Sequence, residues 1–186
     1  GDHAIFGLPQ GYTASTLGWG YYEFKDSYDS LGLTEHYRTI ADYFAAFFKN
    51  STKLSGDSVS SFCYQLGDGN VDHSYWNTPE AQEQQQGVQK EYWTSSTASD
   101  IAAEYAAALA INYINFGNEE DLKYAKALLN YATRVNSVAT DGPNGFYGSD
   151  DYKDDVAWAA GWLYLATKDT TYQNIMNQNI PQYIGW

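Results

Sequence analysis

Apolar residues recur along most of the chain at spacings of three and four, which is the period of an amphipathic helix. The clearest stretch runs from Thr34, which can cap a helix, to Asn50. Its apolar face comprises Tyr37, Ile40, Tyr43, Phe44, Phe47 and Phe48. The same spacing predicts further helices from Thr13 to about Lys25, from Ser99 to about Gly117, after the cap Asn118, from Asp154 to Thr167 and from Thr170 to Asn179.

Strand signals are sparse, because only the stretch from Ser58 to Leu66 alternates, and it does so weakly. No linker rich in Gly, Ser or Pro divides the chain. Two long polar loops, over residues 65–76 and 144–155, separate predicted helices. The pattern therefore predicts an all-α fold of helical hairpins, with two loops long enough to carry function.

Composition limits the classes of function. The 186 residues fit one sizeable domain, and a hydrophobic share of 44% excludes general disorder. With 23 acidic and 10 basic residues, the net charge is −13. Such a surface repels the phosphates of nucleic acids and the headgroups of anionic membranes. Both classes of partner are therefore disfavoured.

Aromatic residues make up 17% of the chain. Flat rings with a polar edge suit sugars, and they serve equally well to fill a core, so composition leaves the two readings open. Cys63 is the single cysteine, which excludes an internal disulfide and a thiolate zinc cage. Because Cys63 lies between Phe62 and Tyr64, we expect a buried, unreactive side chain.

The loop over residues 65–76 carries the first candidate chemistry. Asp68, Asn70 and Asp72 alternate as in an EF-hand, but the required turn glycine and bidentate glutamate are missing. What remains is His73, which can hydrogen-bond a hydroxyl, and Trp76, which offers a stacking face. The pair suits a sugar, and a purely structural turn explains it as well.

The second loop concentrates negative charge. Asp150, Asp151, Asp154 and Asp155 place four carboxylates within six residues. These groups repel one another unless water or a cation neutralises them, and calcium is the cation that oxygen ligands favour. The alternative is a solvated acidic loop in which Asp154 or Asp155 caps the following helix.

Read together, these segments resemble glycoside hydrolase family 9, a large family of cellulases. Residues 1–9 and 17–20 are similar to its opening motif, and residues 65–76 with Pro79-Glu80 are similar to its second signature. Residues 98–110, Gly145-Phe146-Tyr147 and residues 158–167 match further blocks in the right order. The resemblance covers nearly the whole chain.

The resemblance implies a barrel of six helical hairpins, of which residues 1–186 form the N-terminal half, with the remainder of the domain not present in this chain. It implies inverting hydrolysis of internal β-1,4-glucosidic bonds in cellulose and related glucans, in which one carboxylate activates water and a distant carboxylic acid protonates the leaving oxygen. Asp2 matches the family's catalytic base. The general acid, a glutamate, falls beyond Trp186.

Further site residues follow from the same resemblance. His73 and Trp76 match positions that contact glucosyl units, and Tyr147 matches a tyrosine near the reaction centre. Asp154 and Asp155 match an acidic pair that holds calcium in many members, with Asp150 and Asp151 at neighbouring ligand positions. Calcium would be structural, and the chemistry needs no cofactor.

The resemblance also predicts a biological setting and leaves alternatives. We expect a secreted bacterial enzyme, with cellulosome association, carbohydrate-binding modules or dockerin modules outside this chain. Exo-acting or processive cleavage, and a preference for mixed-linkage glucan, are alternatives within the family. A non-catalytic carbohydrate-binding protein is the alternative from another class. A polysaccharide lyase would want an acidic sugar, which the net charge of −13 disfavours.

Overall fold

The computed structural model describes residues 3–84, 90–139 and 146–181. The helices in these ranges are α1 (Gly7–Glu23), α2 (Lys25–Ser30), α3 (Thr34–Asn50), α4 (Gly69–His73), α5 (Pro79–Gln82), α6 (Ser99–Phe116), α7 (Glu119–Val135), α8 (Lys153–Thr167) and α9 (Thr170–Asn179). The strands are β1 (Ile5–Phe6), β2 (Thr52–Ser55), β3 (Ser58–Leu66) and β4 (Glu91–Thr94). No helix in the described ranges is long and apolar enough to cross a bilayer.

Helix α6 is the centre of the fold. Its residues 99–112 are buried on every side. Alanine has the highest helix propensity and the smallest side chain that still packs, so the alanine-rich α6 can be surrounded closely by α1, α7 and α8. The predicted end of the helix is confirmed: Gly117 adopts φ +77°, and Asn118 Oδ1 accepts the Glu120 N–H at 3.0 Å to begin α7.

Helix α1 begins at Gly7, six residues before the predicted start at Thr13. Two glycines of α1, Gly11 and Gly18, let this helix approach α6 closely. A Cβ at Gly11 would lie 2.6 Å from Glu104 Cβ, and one at Gly18 would lie 2.6 Å from Ile111 Cγ2. Gly20, in contrast, has no neighbour within 4 Å of such an atom.

The bounds predicted for α3 are confirmed, but its apolar face is narrower than expected. Tyr37 and Phe48 are buried, whereas Tyr43 is 79% exposed. The Tyr37 ring stacks on Tyr21 of α1 with centroids 4.8 Å apart, which fixes the side of α3 that faces the protein. Tyr43 therefore belongs to the surface.

An antiparallel sheet, which the all-α prediction omitted, accompanies the helices. Strand β3 is central and pairs with β1, β2 and β4, with Ile5 opposite Leu66 in the β1 register. Its alternation is weak because Phe62 and Cys63 are both buried and the register shifts beside Cys63. The expected burial of Cys63 is confirmed at 2% exposure, and this burial raises the pKa of its thiol.

An apolar groove runs along α1, α8 and α9. Trp158 makes edge-to-face contacts with Trp19 and with Trp162, at centroid distances of 5.6 and 5.4 Å. The open cavity beside these rings has a volume of about 580 Å³. Trp162 is only 4% exposed, so its ring belongs to the packing between the helices.

Candidate functional site

The loop after β3 is built around the short helix α4. Asp68 Oδ1 accepts the backbone N–H groups of Asn70 and Val71, and its Oδ2 accepts the Tyr92 hydroxyl at 3.0 Å. These hydrogen bonds make Asp68 the N-cap of α4 and join the loop to β4. The aspartate at the start of the apparent EF-hand alternation thus has a structural role.

Asp72 lies inside this loop and is 2% exposed. Its Oδ1 accepts the backbone N–H of His3 and the Nε2–H of Gln82, both at 2.9 Å. Its Oδ2 lies 4.0 Å from Nε2 of His73. One buried carboxylate therefore joins the N-terminal segment, α4 and α5. Sequence reasoning assigned no role to Asp72, because its partners lie 69 and 10 residues away.

Aromatic contacts bring the two predicted loops together. Phe6 of β1 lies between them, with its ring centroid 5.3 Å from Phe146 and 5.1 Å from Tyr147. His73 meets Phe146 edge to face at 4.9 Å. Gly69 makes this approach possible, because a Cβ there would lie 2.7 Å from the Phe146 ring. His73 and Tyr147 thus lie on the same part of the surface.

The sugar-contact candidates are accessible. Trp76 is 78% exposed and Tyr147 is 57% exposed, so both rings are free to meet a ligand in the part of the molecule described. Tyr147 has φ +51°, a left-handed conformation that is unusual for a side chain of its size. Asp2, the predicted base, lies outside the described residues.

The acidic loop separates its four carboxylates. Asp150 and Asp151 are exposed, and Asp151 Oδ1 accepts the backbone N–H groups of Tyr152 and Lys153 at 2.8 and 3.2 Å. Helix α8 begins at Lys153, so Asp154 and Asp155 lie in its first turn, where the helix dipole favours negative charge.

Asp155 is turned towards Glu104 of α6. Burial raises the pKa of the Asp155 carboxyl, and the neighbouring Glu104 and Asp154 raise it further. Burial also raises the pKa of Glu104, although hydrogen bonds from Asp155 and from Ser15 oppose the rise. Burial therefore disfavours two unprotonated carboxylates at this contact. A cavity of about 370 Å³ opens beside the pair and beside Tyr147.

The fit of calcium can be judged from these positions. Across residues 3–84, 90–139 and 146–181, no three His, Cys, Asp or Glu side chains converge as metal ligands. Asp151 is engaged by backbone N–H groups and Asp155 by Glu104. As arranged, the four aspartates do not fit a carboxylate cage around calcium, and the calcium site stays a prediction.

The geometry is that of a helical-hairpin domain with carboxylates and exposed aromatic rings on its loops. The family model described as Glycosyl hydrolase family 9 matches residues 1–185. The chain belongs to this family, as the sequence motifs predicted.

Solved structures support the same assignment. The catalytic domain of Clostridium thermocellum CelT superposes with a TM-score of 0.92 at 40% identity, and the match covers 100% of this chain and 40% of that one. The cellulase Cel9M of C. cellulolyticum gives 0.86 at 41% identity, with 97% and 43% covered. Family 9 catalytic domains are (α/α)6 barrels, so the chain has the fold of part of such a barrel.

Curated relatives are longer than this chain. Endoglucanase 2 of Arabidopsis thaliana is 32% identical, with 98% of this chain and 36% of the relative covered. Endoglucanase 4 of Bacillus sp. strain KSM-522 is 35% identical, with 94% and 28% covered. The chain thus spans about a third of the length of these relatives.

Proposed function

We propose that the chain contributes the catalytic base and part of the glucan-binding surface of an endo-acting β-1,4-glucanase. The observation that supports the proposal is the edge-to-face contact of His73 with Phe146, the residue before the exposed Tyr147. Phe6 packs against both Phe146 and Tyr147. Because the chain belongs to glycoside hydrolase family 9, we infer that this surface binds a glucan. The related endoglucanase CelQ of C. thermocellum has been crystallised with cellobiose and cellotriose, which supports a β-glucan as the ligand.

In the proposed reaction, Asp2 removes a proton from a water molecule as that water attacks the anomeric carbon. A carboxylic acid supplied from outside residues 1–186 protonates the leaving oxygen, and the configuration inverts. His73 hydrogen-bonds a sugar hydroxyl, Trp76 stacks on a pyranose face, and Tyr147 lies near the bond that is cut. No step requires a metal.

The experiment that tests the proposal is the replacement Asp2→Ala in the full-length enzyme. We expect turnover on soluble cellulose derivatives to fall by at least about three orders of magnitude, because base activation of the attacking water is lost. Asp57→Ala is the matched control, since the Asp57 side chain is 93% exposed and lies 3.7 Å from Lys123. Activity that survives Asp2→Ala would show that another residue is the base.

Exo-acting, processive or mixed-linkage cleavage by the same residues is separated by product profiles. Random internal cutting lowers the viscosity of a soluble glucan early, whereas exo cutting releases cellobiose while viscosity persists.

We further propose an extracellular location, because cellulose is insoluble and must be met outside the cell. Activity that appears only after cell lysis, and is absent from the medium and from intact washed cells, would contradict this location.

A further inference from the structure

We propose that Asp72 is a positioning residue for the catalytic base. It holds, through the backbone N–H of His3, the peptide bond that follows Asp2. The inference rests on the proposed function, since it concerns a residue that acts through Asp2. A purely structural residue would lower activity by loosening the fold. Removal of Asp72 would instead lower turnover by displacing the base.

The Asp72 carboxylate is buried and holds two different segments of the chain. Oδ1 accepts two hydrogen bonds of 2.9 Å, one from the His3 backbone and one from the Gln82 side chain. Asp72 and Gln82 are 2% and 3% exposed, so water competes little for either bond. Hydrogen bonds to a buried charged acceptor are stronger than neutral ones.

The hydrogen bond from the His3 backbone N–H restrains the backbone next to Asp2. The N–H of His3 belongs to the Asp2–His3 peptide bond, and a peptide bond is planar and rigid. The next described backbone attachment along the chain is the pairing of Ile5 with Leu66 in the sheet. Asp72 is therefore the described side chain that fixes the backbone closest to the base. A shift of 1 Å in a reacting group can lower the rate about a hundredfold.

The same carboxylate also lies close to a predicted sugar-contact residue. Asp72 immediately precedes His73, whose Nε2 lies 4.0 Å from Asp72 Oδ2, and His73 in turn touches Phe146. The anchor for the base and the predicted sugar contact thus share one short helix, α4.

The test uses the full-length enzyme and a graded series at Asp72. Asp72→Asn keeps an oxygen acceptor for His3 and Gln82, so we expect kcat to fall by less than about fivefold. Asp72→Ala leaves both donors unsatisfied, and we expect kcat to fall about 10- to 100-fold while KM changes less than about threefold. Asp57→Asn is the matched control, because the charge change is the same and the Asp57 side chain is 93% exposed outside the α4 loop.

A double-mutant cycle then separates positioning from general loss of structure. If Asp72 acts through the base, Asp72→Ala has no further effect on the residual activity of the Asp2→Ala enzyme. An aryl cellotrioside with a fluorescent leaving group gives the required sensitivity. If Asp72→Ala does not fold, Asp72→Glu replaces it, since that variant keeps the charge but moves the acceptor by one methylene.

The outcomes distinguish this inference from the proposed function. Loss of activity in Asp2→Ala, combined with normal kcat in the folded Asp72→Ala or Asp72→Glu enzyme, overturns the positioning role alone. Equal and additive losses in the wild-type and Asp2→Ala backgrounds also overturn it. Full activity of Asp2→Ala overturns the proposed function instead.

Discussion

Asp155 of α8 faces Glu104 of α6 where these helices meet, and burial at this contact raises the pKa of both carboxyls. Two unprotonated carboxylates at this contact would repel each other. The interface therefore needs either a proton or a cation. The two possibilities make opposite predictions for the response to pH and to calcium.

If a proton neutralises the contact between Asp155 and Glu104, the free energy of unfolding depends on pH. The pKa of each carboxyl is raised above the value of about 4 expected in the unfolded chain, so the folded state binds more protons. The stabilising contribution is fully present below about pH 4 and is lost as pH rises through the raised values. Asp155→Asn donates an amide N–H to Glu104 without titrating. We expect this variant to melt a few degrees higher than wild type at about pH 8, with a smaller loss of Tm on going from about pH 5 to 8.

Melting curves should be recorded with EGTA and with calcium, and with Asp57→Asn as the control for loss of an exposed charge. If calcium instead occupies the predicted site, it raises the Tm of the wild type and Asp155→Asn abolishes that gain. A stabilising effect of calcium that depends on Asp155 would therefore replace the proton by a cation at this contact.

The contact of α1 with α6 predicts opposite effects for two glycines of one helix. In Gly11→Ala the new Cβ would lie 2.6 Å from Glu104 Cβ and 3.1 Å from its backbone carbon, so the helices must separate. We expect a loss of about 1–3 kcal/mol in the free energy of unfolding. Gly20→Ala meets no neighbour and should add about 0.5–1 kcal/mol through helix propensity. Urea denaturation of both variants measures the difference, and a common sign would contradict this account.

These glycines also show which parts of the fold the sequence predicts. Helices α3 and α9 have the predicted bounds because a local three-four period defines them, and Asp169 caps α9. Thr34, expected as a cap, is instead the first residue of α3, and the N-cap residue Leu33 makes no side-chain cap hydrogen bond. The start of α1 was misplaced because its glycines serve a helix that is close in space and distant in sequence. Strand β3 was underestimated for a similar reason, since its partners lie at residues 5–6 and 91–94.

The candidate site divides in the same way. Motif resemblance predicts His73, Trp76 and Tyr147 as site residues, because their residue types and order are local. It could not identify Asp72 or Glu104, whose roles depend on contacts with His3 and Asp155. The sequence shows that an acidic residue precedes a predicted sugar-contact residue. It does not show that this acidic residue is buried, and burial is what gives it a role.

Lys49 and Asp121 form a second buried relationship, between α3 and α7. Lys49 Nζ lies 2.7 Å from Oδ1 of Asp121, which is completely buried and also accepts a hydrogen bond from Asn112. Lys49→Met leaves that carboxylate without its counter-charge, and we expect a loss of about 3–5 kcal/mol. Lys123→Met breaks only the exposed pair with Asp57 and should cost less than about 1 kcal/mol. Similar losses in the two variants, measured by urea denaturation, would contradict the assigned importance of burial.

The last prediction concerns the exposed rings. Trp76 is 78% exposed beside the α4 loop, and Tyr43 is 79% exposed on α3. Equal exposure makes them a matched pair in which only Trp76 is predicted to stack on a sugar. In the Asp2→Ala enzyme, which should bind without cutting, we expect Trp76→Ala to raise the Kd for cellotetraose about tenfold, a loss of about 1.4 kcal/mol. Calorimetric titration should show no change for Tyr43→Ala. Unchanged affinity in Trp76→Ala would remove this residue from the glucan-binding surface, and a loss in both variants would point to a general effect of removing surface aromatics.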